Sequence, residues 1–357
     1  MIYDVIIVWW WASGLFCSLF LPKELKKCIL EKTDKLGFKV LLSGWERCNV
    51  SNINFDSQFH YIWQSLKSLP GLFHQFGPED MITYLTDHGI ETKIEENGRV
   101  ILKSGKAKQL VNFFVEASKK NETNHFLSHD VLSLTAVDGQ LFVITTSTGI
   151  YTTKQVIVAT WWMTYPQIGS SPFAYEIAEQ LWFSLVSPHG ALCGIETKNW
   201  FPLLSWNTVQ ALVTLYANNK VVYTKKWSLL FTHRGLSGPV IFDATLFIDQ
   251  DISQYTLQCD FDLSSTSKKV SQLFKLTSWN TIRDITITSL RPITEAKVSV
   301  WGILLKELDQ NFQSKKIPWL YFIGESLDIT WKTWWYNLQR AWTSAYVCAK
   351  SFTKKMD

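Results

Sequence analysis

Glycine is scarce in this chain. Its 357 residues hold 17 Gly against 18 Trp, where average usage puts glycine near ~7%. Loops that need a left-handed backbone or a close approach to a ligand therefore lack their ordinary residue. Paired cysteines are missing too. The six (17, 28, 48, 193, 259, 348) include no C-x-x-C, and the nearest two lie eleven positions apart. They read as the reduced thiols of a cytoplasmic protein. The seven histidines form no H-E-x-x-H or other close pair, so no metal is expected. Charge of one sign is not in excess: the net is +4, and without a basic footprint no nucleic-acid partner is expected. The most apolar run, Val5 to Leu21, is short for a span. Ser13, Gly14 and Ser18 interrupt it, and Asp4 rather than Lys or Arg precedes it, so no membrane insertion is expected. Nothing in this pattern specifies an oligomeric state.

What is present begins with Asp4-Val-Ile-Ile-Val8, an apolar run that predicts a buried parallel strand. After a break, Ala12 to Phe20 predicts a helix that opens on small residues. Strand, tight turn and small-residue helix are the context of a dinucleotide-binding βαβ unit. The turn departs from its fingerprint: Trp9 and Trp11 hold the first two glycine positions, and only Gly14 remains. Lys27 to Glu31 predicts a second strand ending in an acid, 17 positions beyond Gly14, near the spacing at which a carboxylate meets a ribose.

Downstream, helices are expected from Pro78 and over 106–119, with a hairpin at Asn97-Gly98. Between 130 and 160 three strands alternate with Asp138-Gly139 and Thr148-Gly149, an antiparallel meander ending in Val156-Ile-Val-Ala-Thr160. A helix follows over Phe173–Leu181. Residues from about 190 to 312 are β-rich and predict a barrel-like insert with a small helical patch near 268–276. Ile317 to Asp328 reads as a buried strand and an acidic loop, and the stretch from Thr330 to Gln339 as the opening of the last helix.

Five of these stretches resemble one family. In 37–52, Lys39, Ser43, Gly44, Arg47, Cys48, Asn49 and Asn52 match its hallmark, with Trp45 at a glycine position. Gly98, Arg99, Val100, Ser104, Lys106 and Ala107 match a second element. Thr160 ends a strand motif whose next two glycines are Trp161 and Trp162. Leu230 to Pro239, L-F-T-H-R-G-L-S-G-P, matches almost throughout. Gly324, Glu325, Asp328, Tyr336, Asn337 and Gln339 match the last motif, with Trp319, Trp331, Trp334 and Trp335 at glycines. Through these motifs the chain resembles the HI0933-like flavoproteins, the family of aminoacetone oxidase and the BaiN-type reductases.

The resemblance implies an α/β fold: a two-dinucleotide-binding, Rossmann-like FAD domain with an antiparallel β-meander, built from 1–190 and 313–357, and an inserted mostly-β domain over 191–312. It implies an FAD-dependent oxidoreductase acting on a small molecule, with NAD(P)H or oxygen left open as the electron partner. For the cofactor it implies Trp9, Trp11, Ser13, Gly14, Glu31, Lys32, Lys39, Ser43, Arg47, Cys48, Asn49, Val131, Thr160, Trp161, Gly324, Glu325, Asp328, Trp334, Trp335, Tyr336, Asn337 and Leu338. Cys48 and His233 are the candidates for a catalytic role. The alternatives are a small buried thiol and a turn histidine.

Twelve family glycines stand as Trp: 9, 10, 11, 45, 161, 162, 182, 301, 319, 331, 334 and 335. A residue with a Cβ at φ > 0 costs roughly 1–2 kcal/mol, and an indole brings about 200 Å² of surface into the space. The expectation is impaired cofactor binding. A non-catalytic protein using its Trp clusters as an aromatic binding surface is the alternative.

Overall fold

The run Val5–Val8 becomes the centre of a parallel sheet in the computed structural model. β1 (Ile2–Val8) ends in four residues with no exposed surface. It is flanked in parallel by β2 (Lys27–Leu30) and by the second half of β10 (Gly149–Val158). Neighbours on both edges and cover on both faces favour a continuous apolar run over alternation. The structure describes residues 1–9, 12–35, 37, 40–41, 48–54, 61–62, 69–160, 171–198, 202–249, 251–262, 264, 271–272, 274, 281–296, 298–331 and 334–353.

The chain divides into two compact units, Met1–Val186 with Trp301–Asp357, and Ser187–Val300. In the first, the sheet runs β7 (Thr123–Phe126), β2, β1, β10, β9 (Leu141–Thr146), β8 (Val131–Val137), with β19 (Leu320–Phe322) also pairing with β10. β10 serves twice. Its first five residues pair antiparallel with β9, and from Thr152 onward it runs parallel to β1. The meander is therefore grafted onto the parallel core through one long strand. A smaller sheet holds β3 (Asn49–Asn52), β6 (Arg99–Leu102) and β5 (Thr92–Ile94), the last two joined through Gly98 at φ +77°. Thr330 and Trp331, expected to open the last helix, instead form a short strand β20 paired with β4 (Tyr61–Ile62).

Helices cover this sheet. α1 (Ala12–Phe20) is largely apolar, with Ser13 and Ser18 its only polar side chains, and is buried along most of its length, as a core helix must be. α2 (Leu69–Phe73), α3 (Pro78–Asp87), α4 (Ala107–Lys120) and α5 (Phe173–Gln180) follow in chain order. Phe16 of α1 is the hub of the packing. Its ring meets Phe20, Phe76, Tyr84, Phe114 and Trp342 at centroid distances of 4.9, 5.5, 5.6, 5.5 and 5.2 Å, within the range of edge-to-face aromatic pairing. α7 (Trp334–Thr353) adds buried polar ties. Gln339 accepts from Ser51 at 2.6 Å and donates to the Phe76 carbonyl at 3.1 Å, and the Trp342 indole donates to the Val50 carbonyl at 2.9 Å.

The second unit contains a closed barrel ordered β12 (Ile195–Thr197), β15 (Gly235–Ser237), β14 (Lys220–Phe231), β13 (Thr208–Ala217), β16 (Tyr255–Asp262), β17 (Thr281–Leu290). Alternate residues Val209, Ala211, Val213 and Leu215 point inward and are buried, the period-2 pattern of a strand with one core face. The L-F-T-H-R-G-L-S-G-P segment ends β14, turns, forms β15 and starts α6 (Pro239–Thr245) with Pro239 in its first turn. β11 (Leu185–Ala191) pairs with β18 (Val298–Ile303). The helical patch expected near 268–276 falls largely outside the described residues.

Four tryptophans have left-handed backbone: Trp9 (φ 69°), Trp182 (φ 57°), Trp206 (φ 66°) and Trp319 (φ 68°). Three of them are in the sequence-derived set of glycine positions; Trp206 is new.

Truncating the hub should be costly. Phe16→Ala is expected to lower unfolding free energy by about 3–5 kcal/mol, read from the urea midpoint. Ile150→Ala, at a side chain 70% exposed, should move it by less than about 0.5 kcal/mol.

Candidate cofactor site

The carboxyl ends of four parallel strands converge. Val8 of β1 is in register with Val158 of β10 and Leu30 of β2, and Val158 with Phe322 of β19. Trp9, Glu31, Thr160 and Gly324 therefore all leave the sheet at one edge, where the chain's direction of winding changes on either side of β1. Open α/β sheets bind ligands in the crevice at such a switch point. The first turn of α1 faces this edge, and helix N-termini favour anions such as phosphate.

Two glycines set the geometry here. A Cβ on Gly14 would stand 2.4 Å from the Trp9 carbonyl oxygen and 3.1 Å from the Ala159 Cβ. Only a bare backbone lets α1 sit this close to β1 and β10. A Cβ on Gly324, at φ +70°, would stand 2.3 Å from the Ser13 Oγ. The Gly324 N–H donates to the Ser344 Oγ at 2.9 Å. Ser13, Gly14 and Gly324, named from sequence, are thus brought together.

Glu31 lies at the end of β2, as expected, and is buried. Its Oε1 accepts 2.7 Å bonds from the backbone N–H and the hydroxyl of Thr33, so the acid also closes its own loop. Lys32 pairs with Asp130 at 3.0 Å, one residue before the buried Val131. Sequence reasoning missed Thr33 and Ser344. Ser344 follows Gln339 and Arg340 on α7 at helical spacing, a polar stripe among Leu338, Ala341 and Ala345 that the pattern does display.

Several buried polar atoms on these elements have no hydrogen-bond partner among the described residues: Thr160 Oγ1, Asn49 Oδ1, Asp328 Oδ1, Asn337 Nδ2 and the Trp9 Nε1. Native proteins leave few such groups unpaired, and each costs about 1–3 kcal/mol. All five belong to residues that the resemblance assigns to the cofactor, and the four other than Trp9 can pair with a hydroxyl-rich, phosphate-bearing molecule. Burial pushes the Asp328 carboxyl up to about 7, against the opposing pull of Arg340. Leu338 is buried beside Asn337.

The donor and acceptor set and the two glycines fit FAD. The Trp9 side chain stands beside them. It is 1% exposed, with its ring 6.0 Å from that of Phe173 and the Lys32 Nζ 5.7 Å from its centre. The indole therefore lies between residues at the end of β2 and at the start of α5.

Cys48 is fully buried with φ 55°, and its Sγ donates to the Asn49 carbonyl at 3.9 Å. His233 belongs to the second unit, is exposed, and lies 5.8 Å from the Trp206 ring. Trp11, Lys39, Ser43, Arg47 and Trp161 lie outside the described residues. Trp334, Trp335 and Tyr336 begin α7, and their side chains are likewise outside. Glu325 follows Gly324 in a 3-10 turn and is half-buried. No helix among the described residues is long and apolar enough to cross a membrane.

Asp328 yields a pH prediction. Its unfolded carboxyl titrates near ~3.9. The folded protein holds the proton up to about 7, so between these values it binds more protons than the unfolded chain. The Asp328 contribution to stability is then fully present below ~3.9 and is lost as pH rises towards 7, by up to about 1.4 kcal/mol per unit. Asp328→Asn should flatten this dependence in urea titrations run from pH 4 to 8.

A model of the HI0933-like protein Rossmann domain matches residues 3–351. The ribosomal RNA dihydrouridine synthase of Escherichia coli is 26% identical, over 98% of this chain and 97% of that protein. A 3-dehydro-bile acid delta(4,6)-reductase from Clostridium scindens is 19% identical over 96% and 97%. Among solved structures, a 3-ketosteroid-delta4-(5alpha)-dehydrogenase from Rhodococcus jostii superposes with TM-score 0.52 at 11% identity, covering 99% of this chain and 96% of the other. A flavocytochrome c3 fumarate reductase gives 0.51 at 13%, covering 99% and 78%. The fold is thus that of Rossmann-like FAD-binding enzymes with an inserted β-barrel, and with the family model spanning nearly all of its length the chain belongs to the HI0933-like flavoprotein family.

Proposed function

We propose that this chain is a flavin-dependent reductase of a carbon–carbon double bond beside a carbonyl, with a uridine of ribosomal RNA as its substrate. One observation carries the reading: two relatives that it matches almost end to end are named for that chemistry on different molecules. Dihydrouridine is uridine with a hydride and a proton added across one ring double bond, and a delta(4,6)-reductase also saturates a double bond. NAD(P)H is the reductant class that balances the reaction. FAD supplies the ring that carries the hydride. The nucleic-acid partner replaces the expected small molecule, because a modest net charge does not exclude a basic patch on one surface.

The chain's own contribution is binding and orientation. The α1 N-terminus with Gly14 and Gly324 offers room for phosphates, and Asp328, Asn49, Thr160 and Asn337 offer partners to hydroxyls and ring edges. With an indole at position 9, FAD binding is weakened, because the ring stands between Lys32 and Phe173.

Two measurements test this. FAD titration of the chain and of a variant with Gly at 9, 11, 161, 334 and 335 should show binding about tenfold tighter or better in the variant, at least ~1.4 kcal/mol. Equal, stoichiometric binding by both would refute the weakening. The FAD-loaded variant with NAD(P)H should convert uridine in an unmodified ribosomal RNA transcript to dihydrouridine, seen by nucleoside mass spectrometry. Reduction of a cyclic enone with no change in RNA would overturn the RNA substrate.

A further inference from the structure

The four left-handed tryptophans occupy backbone positions that specify glycine for separate local reasons. Trp182 is the C′ residue of α5: its N–H donates to the Glu179 carbonyl at 3.0 Å, and the Phe183 N–H to Ala178 at 2.9 Å. That pair of bonds is the Schellman motif, whose C′ position is usually Gly. Trp319 follows Pro318, and the Leu320 N–H points back to the Ile317 carbonyl at 3.4 Å. With φ 68° at its third residue, this is a type II turn, proline second and glycine third. Trp206 takes the corresponding third position of a turn closed by Asn207 N–H to Leu204 carbonyl at 3.0 Å. Trp9 ends β1 at the cofactor turn.

Left-handed non-glycine positions favour Asn and Asp, and a bulky residue there is an outlier. Yet four of the thirteen such residues among those described are Trp. Trp182 and Trp206 leave 86% and 71% of their surface exposed, and the buried Trp9 packs on Phe173 but leaves its N–H without a partner among the described residues. Trp342 behaves differently. It lies inside a right-handed helix, is fully buried, donates to Val50 and packs against Phe16 and Phe114. The chain therefore holds at least one tryptophan that the fold uses as tryptophan, and a group placed where the fold uses glycine.

A single cause accounts for this second group. The codons UGG and UGA differ from the glycine codons GGG and GGA in one base. We infer that the polypeptide made in this protein's own cells carries glycine at positions 9, 182, 206 and 319, encoded by UGA and read by a glycine-charged tRNA, while UGG encodes Trp342. The family glycine positions that stand as Trp in the sequence join the same group. Returned to glycine, these thirteen positions raise the glycine count from 17 to 30 of 357 residues, from below its usual ~7% to somewhat above it. At position 9 the consequence is functional, because the crevice at the α1 N-terminus loses the side chain that fills it. The inference rests on backbone geometry and on the contrast with Trp342, so it stands or falls independently of the reductase reading.

The test is the gene sequence together with peptide masses of the protein isolated from its native cells. UGA is expected at 9, 182, 206 and 319 and UGG at 342. Tryptic peptide 199–220 should be lighter than its tryptophan form by one Trp-to-Gly difference, at 206, and peptide 317–332 by two, at 319 and 331, while peptide 341–350 has its tryptophan mass. UGG codons at the four positions, or peptides at full tryptophan mass, would overturn the inference.

Discussion

The site depends on how closely α1 is allowed to approach the sheet. With no side chain on Gly14, the helix rests against the Trp9 carbonyl and Ala159, which aims its first turn along the carboxyl edge of β1 and β10. Gly324 extends the same constraint from the C-terminal part of the chain, meeting Ser13 where no side chain fits. Residues over 300 positions apart are so joined at one edge, and the aromatic cluster around Phe16 holds the helix there. A methyl group at either glycine would push α1 away and misalign every group that follows from its position.

Much of this was legible because it rests on short-range pattern. The unbroken apolar run of β1 marked a strand buried on both sides. The Asn97-Gly98 and Asp138-Gly139 turns marked their hairpins, and the β-rich character of about 190–312 marked the barrel. Three kinds of feature were not legible. Thr330-Trp331 became a strand because a distant segment pairs with it, which no local pattern announces. Glu31 was placed by spacing, but its bonds to Thr33 depend on how the loop closes. The raised pKa of Asp328 follows from burial in the folded chain. Trp206 lies outside every family motif, so only its backbone angle reveals its kinship with the others.

The tryptophans turn one local contradiction into a consistent account. The polar groups at the crevice suit a dinucleotide, and the buried Trp9 indole packs beside Lys32 and Phe173 at the same sheet edge. Three further indoles stand on left-handed backbone that prefers glycine, in separate turns. A functional explanation would have to be found separately for each, whereas decoding as glycine answers all four and clears the cofactor crevice in the same step.

The most direct measurement is the visible absorption spectrum of the protein purified from its own cells, with flavin content determined per chain. The account predicts about one FAD per polypeptide, held without added cofactor. A properly folded native protein with glycine at position 9 and no affinity for FAD would contradict it.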